Sequence, residues 1–225
     1  MTAPAVAVPR FLRIELRTPT VLGAPSADPL DVDLDITADS DGLPYIPRHR
    51  LSARLRDAAL EASWAYPSIL PTALELLGSS RGVGPRRCLQ IGHARLPVAV
   101  RAVAARALHS ESAGTGAHLP RPLASRIRDA CTDILTSTTR DDDGAPVAGT
   151  LRQIRAVRAG IDLTAPVIFT GPAVTTDHLR ALSLMCMAFE QIGTGASRGL
   201  GQIRCSIDGD VQYTRTLAFG EDESA

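Results

Sequence analysis

Gly193-Thr194-Gly195-Ala196-Ser197-Arg198-Gly199-Leu200-Gly201 joins an apolar, helix-like run to a β-like run, Gln202 to Ile207. The order helix, glycine loop, strand governs how the rest of the chain is read. A dinucleotide-binding fingerprint needs its glycines after a strand and opening a helix, and a P-loop needs Gly-Lys-Ser/Thr. Here the order is reversed, Arg198 stands where the third fingerprint glycine belongs, and the chain contains no lysine. Gly193, Gly195, Gly199 and Gly201 free the backbone to take positive φ and to approach another molecule closely. Free amides in such a loop, together with Ser197 and Arg198, suit a phosphate oxygen. The same glycines also fit a plain helix-to-strand turn.

Outward from this loop, Thr175 to Ile192 reads as the longest helix, with Thr175 or Thr176 as N-cap. Phe11 to Arg17 alternates apolar and polar residues, as a half-buried strand does. Leu30 to Ile36 alternates again, with aspartates on one face. Asp39-Ser-Asp-Gly42 reads as a turn, and Leu43 to Pro47 as extended chain, because residues before proline are pushed away from helix. Leu51 to Trp64 carries apolar residues at helical spacing. A strand is expected over Leu89–Leu96, helices over Val98–Leu108 and Pro122–Leu135, and strands over Ile154–Val157 and Ile161–Phe169. Ser110–Pro122 and Arg140–Gln153 are polar excursions. Without the middle, the order is strand, helix, strand, strand, helix, strand. This is an α+β arrangement with a modified ferredoxin-like, RRM-like βαββαβ core. Residues 1–225 would form one domain, with an inserted thumb-like region at about 98–153.

Composition narrows the function. Only 4% of residues are aromatic, which argues against a multi-aromatic stacking sheet. Formal net charge is zero, so no global basic signature marks the chain. Charge is segregated instead: Asp28, Asp31, Asp33, Asp35, Asp39 and Asp41 precede Arg48, Arg50, Arg54 and Arg56. Every basic side chain is arginine, so any polyanion meets a planar, forked guanidinium. Cys88, Cys131, Cys186 and Cys205 are widely spaced and read as free thiols of a reducing cytoplasm. Neither a signal peptide nor a membrane span is expected.

Three segments together resemble the RAMP superfamily, the RNA-binding subunits of CRISPR effector complexes. The first is Asp33-Leu-Asp-Ile followed by Asp41-Gly-Leu-Pro-Tyr-Ile-Pro47 and Leu51-Ser-Ala-Arg-Leu-Arg56. The second is the loop Gly193–Gly201, with its Ser-Arg-Gly centre. The third is Arg140-Asp-Asp-Asp-Gly-Ala-Pro-Val-Ala-Gly-Thr-Leu-Arg152, which is similar to a loop of type III subunits, especially the type III-D branch; Ile91-Gly-His-Ala-Arg-Leu-Pro97 resembles that branch too. One departure stands out. Pro47-Arg48-His49-Arg50 lacks the glycine that follows proline in the family, which leaves open how closely RNA approaches there.

The resemblance implies a type III-like effector subunit that holds guide RNA and meets target RNA, other RAMP subunits and a large polymerase-like subunit. The RNA contacts would come from Arg48, Arg50 and Arg54 and from Gly193, Gly195, Ser197, Arg198, Gly199 and Gly201. Asp33 matches the position of the cleaving aspartate in type III backbone subunits. With Mg²⁺ that is not tightly bound, it would help a 2′-hydroxyl attack its own phosphate. The aspartates also fit a solvent-facing strand, and the arginines a solvated helix face paired with them. Counted from Asp31, Ile36 and Gly42 stand where a calcium loop needs glycine and glutamate, so this is no EF-hand. His49 reads as a surface hydrogen-bonder. Arg152, Arg155 and Arg158 read either as a second RNA grip or as surface charge. Alternatives are a non-catalytic assembly or capping subunit, and a standalone endoribonuclease of crRNA maturation.

Overall fold

The computed structural model describes residues 7–25, 32–78, 87–113, 122–139, 141–145, 147–171 and 173–220. Asp28, Asp31 and Arg140 lie outside the described residues, as do residues 114–121. The elements run β1 (Phe11–Leu16), β2 (Gly23–Pro25), β3 (Leu34–Ile36), β4 (Tyr45–Ile46), α1 (Arg48–Ala65), α2 (Leu70–Leu77), β5 (Leu89–Ile91), β6 (Ala94–Arg95), α3 (Val98–Ala113), α4 (Leu123–Ala130), β7 (Thr132–Ser137), β8 (Arg152–Val157), β9 (Asp162–Phe169), α5 (Thr176–Ala188), β10 (Ile203–Ile207) and α6 (Val211–Phe219).

The main sheet has the order β10-β1-β9-β6-β4, with β5 also paired to β9. Every one of its pairings is antiparallel. With α1 and α5 as crossovers, β1, β5/β6, β9 and β10 reproduce the βαββαβ order expected from the sequence. Period-two alternation sets its faces. Leu12, Ile14 and Leu16 of β1 meet Ile207, Cys205 and Ile203 of β10 in register, and all are buried. They pack with Leu51 and Leu55 of α1 and Leu182, Met185 and Cys186 of α5 in one core. The opposite face carries a transverse polar row, Tyr45–Arg95–Thr164–Arg13–Ser206, from β4 to β10.

A second sheet has the order β2-β3-β8-β7. It joins the chain after β1 to the hairpin β7–β8, and its β3–β8 pairing is parallel. A buried ion network holds it. Asp35 Oδ2 accepts from Arg128 Nη1 at 2.9 Å, and Arg155 Nη1 donates to Asp129 Oδ1 at 2.9 Å. Arg155 Nε lies 3.1 Å from Asp35 Oδ1, an ion pair whose N–H is off-line for a hydrogen bond. Arg155 and Asp35 are 2% and 6% exposed, so Arg155 is neither an RNA grip nor a surface charge, and the aspartate face of β3 is not uniformly solvated. Burial of such a group is tolerated only with its countercharges in place.

Three expectations about elements are revised. The helix expected over Pro122–Leu135 ends at Ala130, because Thr132–Ser137 pairs residue for residue with β8. β-branched Thr132, Ile134 and Thr136 suit that ladder. The helix expected to reach Ile192 ends at Ala188. Beyond it Ile203 N donates to Glu190 O, and Ile192 N to Gly201 O, so extended pairing replaces the last turn. The start is as read: Thr175 Oγ1 accepts from His178 N at 3.3 Å, and His178 Nδ1 accepts from Thr175 N at 3.1 Å. Finally, α6 was not expected. Asp210 caps it by accepting from Tyr213 N at 2.8 Å, and Thr214 and Ala218 are buried on its inner face.

Asp35→Ala strands part of the Arg155 charge in the interior, so stability should fall by about 3 kcal/mol, read as a lower urea midpoint. An unchanged midpoint would show that the network does not hold the second sheet.

Candidate nucleic-acid interface

The glycine loop is more tightly built than its composition implies. A Cβ at Gly193 would run into the Val21 carbonyl, and one at Gly201 into the Ile192 carbonyl. Both residues have positive φ, +85° and +75°. Ala196–Arg198 forms a 3₁₀ turn between left-handed Gly195 and Gly199. Several loop amides are already engaged: Thr194 N with Val21 O, Arg198 N and Leu200 N with Gly195 O, Gly199 N with Ala196 O, and Gly201 N with Pro19 O. The loop therefore presents side chains more than a nest of free amides. Ser197, Arg198 and Gly199 are exposed, and nothing lies within 4 Å of a Cβ placed on Gly199. Arg198 makes no ion pair among the described residues.

The first two turns of α1 lie beside this loop. Arg50 Nη1 donates to Leu22 O at 3.3 Å, and Arg54 Nη2 to Gln191 O at 3.3 Å. Leu22 follows Val21, which bridges Thr194, and Gln191 precedes the loop. Arg54 is also paired with Asp57 at 3.1 Å, so its charge is partly offset and its main effect is to tie α1 to the loop. Arg48 and Arg50 are exposed and form no ion pair among the described residues. From Arg48 to Arg54 the helix advances about 9 Å. Arg56 faces elsewhere: its Nε and Nη2 donate to Gly78 O and Leu77 O, capping α2.

Asp33 is set apart from these residues. It is exposed on the second sheet, where its Oδ2 accepts from Gln153 N at 2.7 Å and its own N donates to Gln153 O at 2.9 Å. Thr37 N shares the Leu22 carbonyl with Arg50, and Asp33 lies four residues back, about 13 Å of extended chain. Among the described residues no group of three or more His, Cys, Asp or Glu side chains is placed to hold a metal ion. A lone carboxylate is the donor set of a hydrated Mg²⁺ that takes further ligands from phosphates, not of a resident ion.

Sequence reasoning did not mark Tyr45, His93 or Arg95 as functional. His93 Nδ1 accepts from Arg48 N at 3.2 Å, at the start of α1. Its ring meets Tyr45 edge-on, with centroids 5.4 Å apart at 79°. Partial burial and the neighbouring Arg95, Arg48 and His49 charges push the His93 imidazolium toward its neutral form. The Gly92-His93 break between two short strands was the available signal. The four cysteines are free, and Cys88, Cys186 and Cys205 are buried. No helix among the described residues is long and apolar enough to cross a membrane.

No protein-family model matches the sequence, and no curated protein matches it. Solved structures do share the fold. A chain of the type III-B Cmr-beta complex bound to cognate target RNA superposes with a TM-score of 0.63 at 12% identity, covering 92% of this chain and all of that one. A chain of the same complex in its apo state gives 0.65 at 12% identity, with the same coverage. A chain of a type IV-B CRISPR complex gives 0.53 at 15% identity, covering 94% of this chain and 99% of that one. The chain thus has the fold of subunits found in type III-B and type IV-B CRISPR complexes.

The loop glycines should separate by role. Gly199→Ala meets only left-handed backbone strain, about 1 kcal/mol. Gly201→Ala adds a collision with a carbonyl, roughly 1–3 kcal/mol more. Urea unfolding of the two variants measures the gap, and equal losses would contradict the packing described.

Proposed function

We propose that this protein is an RNA-binding subunit of a type III-like CRISPR effector in antiviral defence, holding guide RNA by its backbone. The observation that supports this reading is that Arg50 and Arg54 donate to the Leu22 and Gln191 carbonyls, on segments next to the glycine loop that carries the exposed Arg198. Guanidinium groups with no carboxylate partner among the described residues suit phosphate oxygens, and they carry no base preference. The shared fold supports it, since one neighbour is a complex with target RNA. Target RNA, sister subunits and a large polymerase-like subunit are the partners this reading implies.

Two readings of Asp33 follow. In the first, its carboxylate lies beside a splayed target nucleotide. The 2′-hydroxyl loses its proton and attacks the adjacent phosphorus in line, and the 5′-oxygen leaves with a proton. The products are a 2′,3′-cyclic phosphate and a 5′-hydroxyl. A Mg²⁺ arriving with the phosphates would offset the charge on the transferring group. In the second, the subunit is a non-catalytic assembly or cap component, and Asp33 serves to hold Gln153. The bond to Gln153 N favours this second reading.

Arg198→Glu should weaken binding of a single-stranded guide transcript at least tenfold at moderate salt, with thermal stability unchanged. Unaltered affinity would sink the RNA-holding reading. Asp33→Asn keeps an acceptor for Gln153 N and removes the charge. In the assembled complex, target cutting reduced a hundredfold or more supports the first reading, and unchanged cutting supports the second.

A further inference from the structure

The aromatic pair at the start of α1 has no part in the phosphate contacts described above. Tyr45 and His93 come from different segments. Tyr45 is directly opposite Arg95 across the β4–β6 pair, and His93 occupies the two-residue break between β5 and β6. The break is rigidly placed, because a Cβ on the preceding Gly92 would strike the Pro166 ring. Three contacts fix the pair. Arg48 N donates to His93 Nδ1 at 3.2 Å. The His93 and Tyr45 rings meet edge-on at 5.4 Å. The Arg95 guanidinium sits 5.4 Å from the Tyr45 ring centre and 3.8 Å from Asp39. Both residues are partly buried.

The bond from Arg48 N needs a lone pair on Nδ1, so the neutral ring carries its proton on Nε2. That leaves an uncharged, partly exposed imidazole with one further donor, hydrogen-bonded to the exposed Arg48, which the exposed His49 and Arg50 follow in sequence. In a chain with 4% aromatic residues, two rings held against the first basic turn of α1 are a specific placement. Single-stranded nucleic acid is bound by this combination of a cationic track for phosphates and a ring for a base.

Resting on the RNA-holding reading, we propose that His93, buttressed by Tyr45, is a nucleobase-stacking subsite: it receives one unstacked base of the bound single strand while Arg48 and Arg50 take the flanking phosphates. Every nucleobase has a π-face, so the subsite is tolerant of sequence. Tyr45 and Arg95 act through His93 and are positioning residues. His93 itself touches the ligand.

The test compares the full chain and its variants for binding to two fluorescent 12-nucleotide probes by anisotropy. One probe is oligouridylate, and the other is a phosphoribose strand of equal length without bases. The unmodified protein should prefer the base-bearing strand by at least about fivefold, the low end for one stacked base. His93→Gln keeps an acceptor for Arg48 N but has no ring. It should lose that preference and bind the base-free strand as the unmodified protein does. His93→Phe keeps a ring and should retain the preference. A His93→Gln protein that still prefers the base-bearing strand fivefold would overturn the subsite. A folding defect is separated by the base-free probe, whose affinity depends on the arginines alone. If Arg198→Glu binds normally as well, the RNA-holding reading itself falls. If only the His93 variants are silent, that reading stands and the stacking subsite does not.

Discussion

The short segment Pro19–Leu22 is the constraint on which the candidate interface depends. Thr20, Val21 and Leu22 are buried, yet each offers backbone groups to a different part of the fold. Thr20 exchanges hydrogen bonds with Val157 of the second sheet. Val21 O accepts from Thr194 N at the mouth of the glycine loop, and Pro19 O accepts from Gly201 N near its end. Leu22 O accepts from Arg50 and from Thr37. Buried carbonyls must find donors, and here the donors come from β-sheet, glycine loop and helix together. Glycines at 193 and 201 let the loop backbone lie this close.

A second constraint acts within the second sheet. The Asp35, Arg155, Asp129 and Arg128 network fastens β3 to β8 and α4. Removing these charges from water is costly unless every partner is present, so the network specifies one register for the second sheet. Asp33 sits two residues from Asp35 and pairs with Gln153 of β8. Its placement is therefore set by the lock, and any chemistry it performs inherits that position.

Much of this was legible in the sequence. Alternation over Phe11–Arg17, the strand read over Ile161–Phe169, helical spacing in Leu51–Trp64 and a cap at Thr175 or Thr176 are local signals, and each matches an element of the fold. Boundaries failed where a distant strand decided them. Thr132–Ser137 becomes a strand because β8 is opposite, and Glu190–Ile192 leaves the helix because Gly201–Ile203 pairs with it. The burial of Arg155 was equally invisible, since its partners are 26 residues away at Asp129 and 120 at Asp35. Composition pointed to a glycine loop with free amides. It could not show that several of those amides are bonded within the fold, leaving Ser197 and Arg198 as the exposed chemistry. His93 escaped notice because its role arises from Tyr45 and Arg48, which lie far from it along the chain.

The proposal that Arg48, Arg50 and Arg198 hold a single RNA strand by its phosphates makes a quantitative prediction. The salt dependence of affinity for a guide-length single strand tests it most directly. Three phosphate contacts predict a log–log slope of roughly −2, from about −0.7 per neutralised phosphate. A slope near zero would mean that no phosphates are held there, and the account would be wrong.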